Sequence, residues 1–296
     1  MRSRAVDVVS AETAELGEGP RWDAERGEFV WVDIPAGTVR RAVFEGGSLR
    51  TVAEYAVGRP VGAVAPVAGG GGWVLAAGTG FAYLDPDGRV ADLADAEPGA
   101  GRRLRMNDGS CDPAGRFFAG TMAYDETPGA GALHRLDLDG ALARVRDRAT
   151  IPNGIAWSPD GSTMYWADSG PGEIWRFSYD VDTGEMRDGV VIVSGGDGPG
   201  VPDGLALDDD GLLWVAVWGA GVVRRYTTDG QVLDEIRLPV SQPSAPCFVG
   251  ATLLITSARD GLDPQALRSE PYAGRVFAAD VGIGGPPAAP YRGPTT

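Results

Sequence analysis

The sequence predicts an all-β fold, a six-bladed β-propeller with four-stranded blades and a central metal site, and three observations carry that prediction. A string of residues recurs six times, its copies starting 42 to 50 residues apart. Each copy continues as short alternating segments closed by Gly and Asp turns, with no helical stretch, which is the size and texture of a propeller blade. Four of the six copies begin on a side chain that carries oxygen.

The first copy is Glu18-Gly19-Pro20-Arg21-Trp22-Asp23, running to Phe29-Val30-Trp31-Val32-Asp33. The second is degraded, Val61-Gly62-Ala63-Val64-Ala65 leading through Gly69 to Gly72 into Trp73-Val74-Leu75-Ala76. Asp108-Gly109 before Phe117-Phe118-Ala119, Asn153-Gly154 before Tyr165-Trp166-Ala167, and Asp203-Gly204 before Leu213-Trp214-Val215 are clear copies. The sixth, Ala245-Pro246-Cys247-Phe248, leads into Leu253-Leu254-Ile255. Between them lie segments such as Ile174-Trp175-Arg176-Phe177, whose alternation predicts half-buried antiparallel strands. Ala5 to Val9 is expected to supply an outer strand that closes the ring, in one domain over 1–296 with a Gly/Pro-rich tail from about 282. A pair of β-sandwiches would not produce six units of similar length.

Composition removes several chemistries. The chain has 296 residues and a formal charge of −15, all 26 basic residues are Arg, and there are one His and two Asn. Without Lys neither a P-loop nor Schiff-base catalysis is available, and one His cannot build a His-rich zinc site. The acidic balance disfavours nucleic acid and anionic membranes. No stretch reaches the ~18 apolar residues of a membrane span, so a soluble cytoplasmic protein, monomeric or weakly self-associating, is expected. Cys111 and Cys247 read as buried reduced thiols.

In a propeller the first strand of each blade lines the axis, so equivalent repeat starts converge. Those starts read Glu18, Val61, Asn107-Asp108, Asn153, Asp203 and Ala245-Pro246, and both asparagines fall among them. Asn153-Gly154 also suits a turn in which Asn takes left-handed geometry. Carboxylate and amide oxygens without His or Cys suit one hard divalent cation, Ca²⁺ first, then Mg²⁺ or Mn²⁺, with positions open to water and substrate.

The strings Gly17-Glu18-Gly19-Pro20-Arg21-Trp22, Arg105-Met106-Asn107-Asp108-Gly109, Asp112 to Met122, Pro152 to Ser158, Tyr165 to Ser169 and Pro202-Asp203-Gly204 resemble the gluconolactonase/regucalcin (senescence marker protein) family. The resemblance implies a sugar lactonase whose divalent cation, Zn²⁺ included among its alternatives, rests on Glu18, Asn153 and Asp203. It also implies substrate contacts from Arg105 and Asn107, and Asp203 as general base. Counting on from Met122, the family's substrate-contacting Glu falls at Asp125, a shorter acid.

On that reading the cation polarises a lactone carbonyl and acidifies a water, Asp203 takes the water's proton, and Asn107 donates to the carbonyl oxygen. Arg105, otherwise one arginine of the surface run Arg102-Arg103-Leu104-Arg105, orients substrate hydroxyl or carboxylate groups. Other motifs read as structural. His134 sits in an alternating run with no Gly-x-Ser-x-Gly elbow, Cys247 has no His partner, and Asp208-Asp209-Asp210-Gly211 lacks the later Glu of a calcium loop. Three further readings remain open: phosphotriester hydrolysis on the same metal, a lactonase recruited to a biosynthetic pathway, and a non-catalytic calcium-binding propeller.

Overall fold

The computed structural model describes residues 4–195 and 198–295. Its strands, in chain order, are β1 (Asp7–Val8), β2 (Gly17–Asp23), β3 (Glu28–Asp33), β4 (Thr38–Glu45), β5 (Ser48–Ala56), β6 (Val61–Pro66), β7 (Trp73–Ala77) and β8 (Gly80–Leu84). They continue as β9 (Val90–Asp95), β10 (Leu104–Cys111), β11 (Phe117–Ala123), β12 (Gly131–Leu136), β13 (Leu142–Ala149), β14 (Pro152–Trp157), β15 (Thr163–Asp168) and β16 (Glu173–Asp180). The last are β17 (Glu185–Val193), β18 (Val201–Leu207), β19 (Leu213–Trp218), β20 (Val222–Tyr226), β21 (Val232–Arg237), β22 (Pro243–Val249), β23 (Thr252–Ser257) and β24 (Phe277–Asp280). Among the described residues they form six antiparallel sheets of four, the blades of a propeller.

Five blades are consecutive meanders, from β2–β5 to β18–β21. The sixth is ordered β1-β24-β23-β22, so the N-terminal segment closes the ring as its outer strand, with Asp7 opposite Ala278 and Val8 opposite Phe277. The second strand of each blade is sandwiched between neighbouring blades and apolar on both faces. Trp31, Trp73, Trp166 and Trp214 occupy these strands and are fully buried. Each such side chain withdrawn from water contributes roughly 1.5–3 kcal/mol or more, which accounts for the aromatic residue of the repeat.

The start of the repeat has its own cause. All six innermost strands lose register against the second strand at the same place: between Glu18 and Arg21, Val61 and Ala63, Met106 and Gly109, Pro152 and Ile155, Pro202 and Leu205, and Pro243 and Pro246. Such a bulge re-aims the side chains within it, and it holds Asn107, Asp108, Asn153 and Asp203. The glycine that follows is required because inner strands crowd the axis: a Cβ on Gly154 would overlap Leu205 of the next blade, and one on Gly204 would overlap Ala245. Asn153 lies within β14 and does not take left-handed geometry, which removes the turn reading of Asn153-Gly154.

Two segments differ from the sequence expectation. A six-residue helix, α1 (Pro264–Ser269), interrupts the β23–β24 connection; Asp263 caps it by accepting from the Gln265 and Ala266 backbone N–H groups, and Pro264 opens it. The Gly/Pro-rich segment beyond residue 282 is packed. Gly284 O accepts from Asp209 N, Ala288 N donates to Trp22 O, and Tyr291 is fully buried, bridging Pro66 and Ala68 through its backbone. It thereby ties the fifth, first, second and third blades together.

Candidate metal and substrate site

The four oxygen-bearing repeat starts meet. Glu18, Asn107, Asn153 and Asp203 line one cavity of about 130 Å³, together with Arg105, Met122, Glu126, Ser169, Trp218 and Asp260. Each of the first four is at most 5% exposed. The loops that lead into the inner strands are clamped from the second strands. Asp33, ending β3, accepts from the Glu15 and Leu16 N–H groups ahead of Glu18, and Asp168, ending β15, accepts from Thr150 and Ile151 ahead of Asn153.

Asn153 is oriented by its neighbours. Its Nδ2 donates to Ser169 Oγ at 2.8 Å, Ser169 in turn donates to Pro202 O at 2.6 Å, and Asn153 Oδ1 accepts from Asn107 Nδ2 at 3.1 Å. Asn107 also donates to Pro152 O at 2.9 Å and accepts from Arg105 Nη1 at 2.6 Å. Both protons of its carboxamide are therefore engaged, and donation to a substrate oxygen requires that one of these bonds be given up.

The carboxylates are under electrostatic stress. Burial, followed by the charge of Asp108, raises the Glu18 pKa to about 8, against bonds from Gly19 N–H and the fields of Arg21 and Arg105. Asp203 is pushed well above the usual carboxylate range by burial and by Glu18. Its Oδ1 is buried with no hydrogen-bond partner among the described residues. Asp108, likewise buried, points to Arg21, whose Nη2 lies 3.5 Å from it. Arg105 makes no ion pair among the described residues, and burial lowers its pKa while Glu18, Asp260 and Glu126 oppose that.

Two buried carboxylates and a carboxamide oxygen directed at one space, one carboxylate oxygen unpartnered, fit a hard divalent cation. The set has two acids rather than three; among the described residues no three His, Cys, Asp or Glu side chains form a metal-holding group.

Asp125 is the expected substrate residue that the fold does not bring to the cavity. It is exposed, accepts from Thr127 N and Oγ1, and lies 3.9 Å from Arg102. Glu126, one residue on and in left-handed conformation at φ 53°, lines the cavity instead. Counting from Met122 assumes an extended chain, whereas the loop turns at Ala123, whose carbonyl accepts from Glu126 N. Ser169, Trp218, Asp260 and Glu126 are lining residues that the sequence did not point to; all lie at or just beyond the ends of second strands, where the repeat no longer constrains the chain.

The motifs read as structural are so. His134 is buried against Glu97 and Thr121. Cys111 and Cys247 are free and buried, and burial pushes the Cys247 thiol up to about 12. Asp208 begins a hairpin turn and accepts from Trp214 Nε1 and Arg225. A larger cavity of about 260 Å³, lined by Arg21, both thiols, Trp157 and the segment Pro286–Ala289, holds no carboxylate.

A six-bladed propeller with acids and amides gathered on its axis defines the class, and comparison with known proteins defines the family. Residues 16–259 match the family described as SMP-30/Gluconolactonase/LRE-like region, and the chain belongs to it. Regucalcin of Sus scrofa is 35% identical, covering 99% of this chain and all of that one. A calcium-binding protein, regucalcin, from Agrobacterium tumefaciens superposes with a TM-score of 0.90 at 28% identity, covering 99% of this chain and all of that chain. A gluconolactonase of Xanthomonas campestris does so at 0.71 and 25% identity, covering 90% and 86%. Among the described residues no helix is long and apolar enough to cross a membrane.

Proposed function

We propose that the protein is a metal-dependent hydrolase that opens a small sugar lactone. The observation that carries this reading is the placing of Glu18 and Asp203, two buried carboxylates, in one cavity beside the Asn153 carboxamide, where the charge of Glu18 adds to burial in raising the Asp203 pKa. The family membership and the gluconolactonase similarity support the reaction class. Glu18, Asn153 and Asp203 would hold one divalent cation, Ca²⁺ first by donor chemistry. When bound, such an ion supplies Lewis acidity toward an ester carbonyl and toward water.

The chain's own residues supply the rest. Asp203 Oδ1, with no donor of its own, takes the proton of the attacking water. The water oxygen bonds to the carbonyl carbon, the ring C–O bond breaks, and the proton passes to the ring oxygen, leaving a hydroxy acid. Arg105 and Glu126 both line the cavity, a donor and an acceptor for sugar hydroxyls. Asn107 holds Arg105 and Asn153 in line, and reaches the carbonyl oxygen by releasing Pro152 O.

The test is acid release from a panel of aldonolactones by the purified protein, before and after chelation and with Ca²⁺, Mg²⁺, Mn²⁺ and Zn²⁺ restored. Metal-dependent turnover of a lactone is expected. Calcium binding without turnover of any lactone would instead make the protein a binding propeller.

A further inference from the structure

A third cavity, of about 270 Å³, opens between the third and fourth blades and shares no lining residue with the central one. Arg146 enters it from β13. Its guanidinium carbon stands 4.3 Å from the centre of the Trp175 ring and 5.3 Å from that of Trp166, and it has no ion-pair partner among the described residues. Two carboxylates also line the space and their charges act on Arg146, but their hydrogen bonds go elsewhere: Asp168 accepts from the backbone of Thr150, Ile151 and Gly170, and Glu173 accepts from Trp175 Nε1. The Trp166 ring is 1% exposed, and its Nε1 donor has no acceptor among the described residues. Arg148, at the rim, is likewise without a carboxylate.

The cavity therefore presents a stacked guanidinium without a hydrogen-bonded acceptor, over an aromatic floor whose Trp166 carries a buried, unpartnered indole N–H. Guanidinium is the cation best matched to planar or tetrahedral oxyanions. The spare lone pairs of Asp168 and Glu173 accept hydrogen bonds only, so a bare anion would be repelled where one that also carries hydroxyl groups would be held. We propose that this cleft is a second ligand site, built for a small hydroxylated oxyanion, a sugar acid or a sugar phosphate. The oxyanion lies on Arg146 beside the Trp166 Nε1 donor, the hydroxyls face Asp168 and Glu173, and Trp175 backs the guanidinium. Binding here goes beyond lactone hydrolysis and is read without turnover.

Titration calorimetry of the full chain with gluconate, glucose 6-phosphate and inorganic phosphate tests it. At least one sugar anion is expected to bind, and the tighter of the two identifies the oxyanion. Arg146→Gln should weaken that binding about tenfold and Trp166→Phe, which removes the donor and keeps a ring, by about fivefold. Arg148→Gln, an exposed change that spares the core, gives an independent reading of about threefold. With Arg105→Gln in the central cavity, where a sugar acid can also sit as product, the component of binding that the cleft variants weaken should persist. No heat from either sugar anion at millimolar concentration would overturn the proposal, as would affinities indifferent to all three cleft variants. Loss of that component in Arg105→Gln would place the ligand in the central cavity, and inorganic phosphate binding as tightly as the sugars would remove the hydroxyl requirement; either also overturns it.

Discussion

Asn107 Nδ2 donates to Asn153 Oδ1 across 3.1 Å, so the chain's two asparagines join the third blade to the fourth at the axis. The bond belongs to a line that runs from Arg105 through Asn107 and Asn153 to Ser169 and Pro202 O. Its effect is to fix which atom of Asn153 faces the cavity: the amine is taken by Ser169, leaving the oxygen for Asn107 and a cation. Ser169→Ala removes that constraint without touching a ligand. Calcium affinity by calorimetry should fall by about tenfold, as for other groups that orient metal ligands. The same affinity in both proteins would show that Asn153 needs no such support.

Asp203→Asn separates holding a cation from taking a proton, because the carboxamide keeps one coordinating oxygen and loses basicity. Turnover is expected to fall by about 10²–10⁴-fold, the range for general base catalysis, with calcium binding weakened but measurable. A variant that binds metal and turns over at the wild-type rate would remove Asp203 from the base role.

Glu126→Gln and Asp125→Asn test the loop. Glu126 lines the cavity near Arg105, while Asp125 is turned to solvent. The first change should raise KM by about tenfold, the loss of one charged hydrogen bond; the second should leave KM within about twofold, as surface substitutions do. The reverse pattern would return the substrate contact to Asp125.

This loop marks where the sequence stopped being legible. The six repeat starts were readable because every inner strand meets its neighbours at the axis under the same steric demand, so Gly62, Gly154 and Gly204 recur in register and the bulge residues with them. The N-terminal closing strand was readable for a related reason, since the sixth unit lacks a fourth strand of its own. Glu126 depends on one left-handed residue in a connection with no repeat. Helix α1 is six residues long, too short for a periodic signal, and only Asp263-Pro264 announced it. Nothing in a Gly/Pro-rich stretch shows that Tyr291 will be fully buried.

Tyr291→Ala tests whether that C-terminal segment is structural. The ring packs with Val67, Phe81, Cys111 and Phe117 in the core shared by the second and third blades. Truncating an aromatic residue at such a site costs about 3–5 kcal/mol. Tyr291→Phe loses only a long bond to Asp137 O at 3.4 Å and should cost under about 1 kcal/mol. Urea unfolding of the three proteins measures both values, and near-equal stability of wild type and the Ala variant would make the segment an ornament.

His134 supplies a pH dependence of known sign. It is 1% exposed, between Thr121 Oγ1 and Glu97, with Arg144 and Asp147 also acting on it. Burial lowers its pKa below the ordinary 6.5, and the opposing pull of Glu97 does not restore it. The unfolded chain therefore takes up a proton near pH 6.5 that the folded protein refuses until lower pH. With more protons bound to the unfolded state, stability falls as pH drops below about 6.5, by at most about 1.4 kcal/mol per pH unit for one group. Above that value neither state is protonated and the contribution is flat. His134→Gln keeps a hydrogen-bonding side chain without the titration. The difference in unfolding free energy between wild type and variant, followed from pH 7.5 to 5, should tilt against the wild type below about 6.5. A difference that stays constant across that range would mean that the imidazole holds the same proton count in both states.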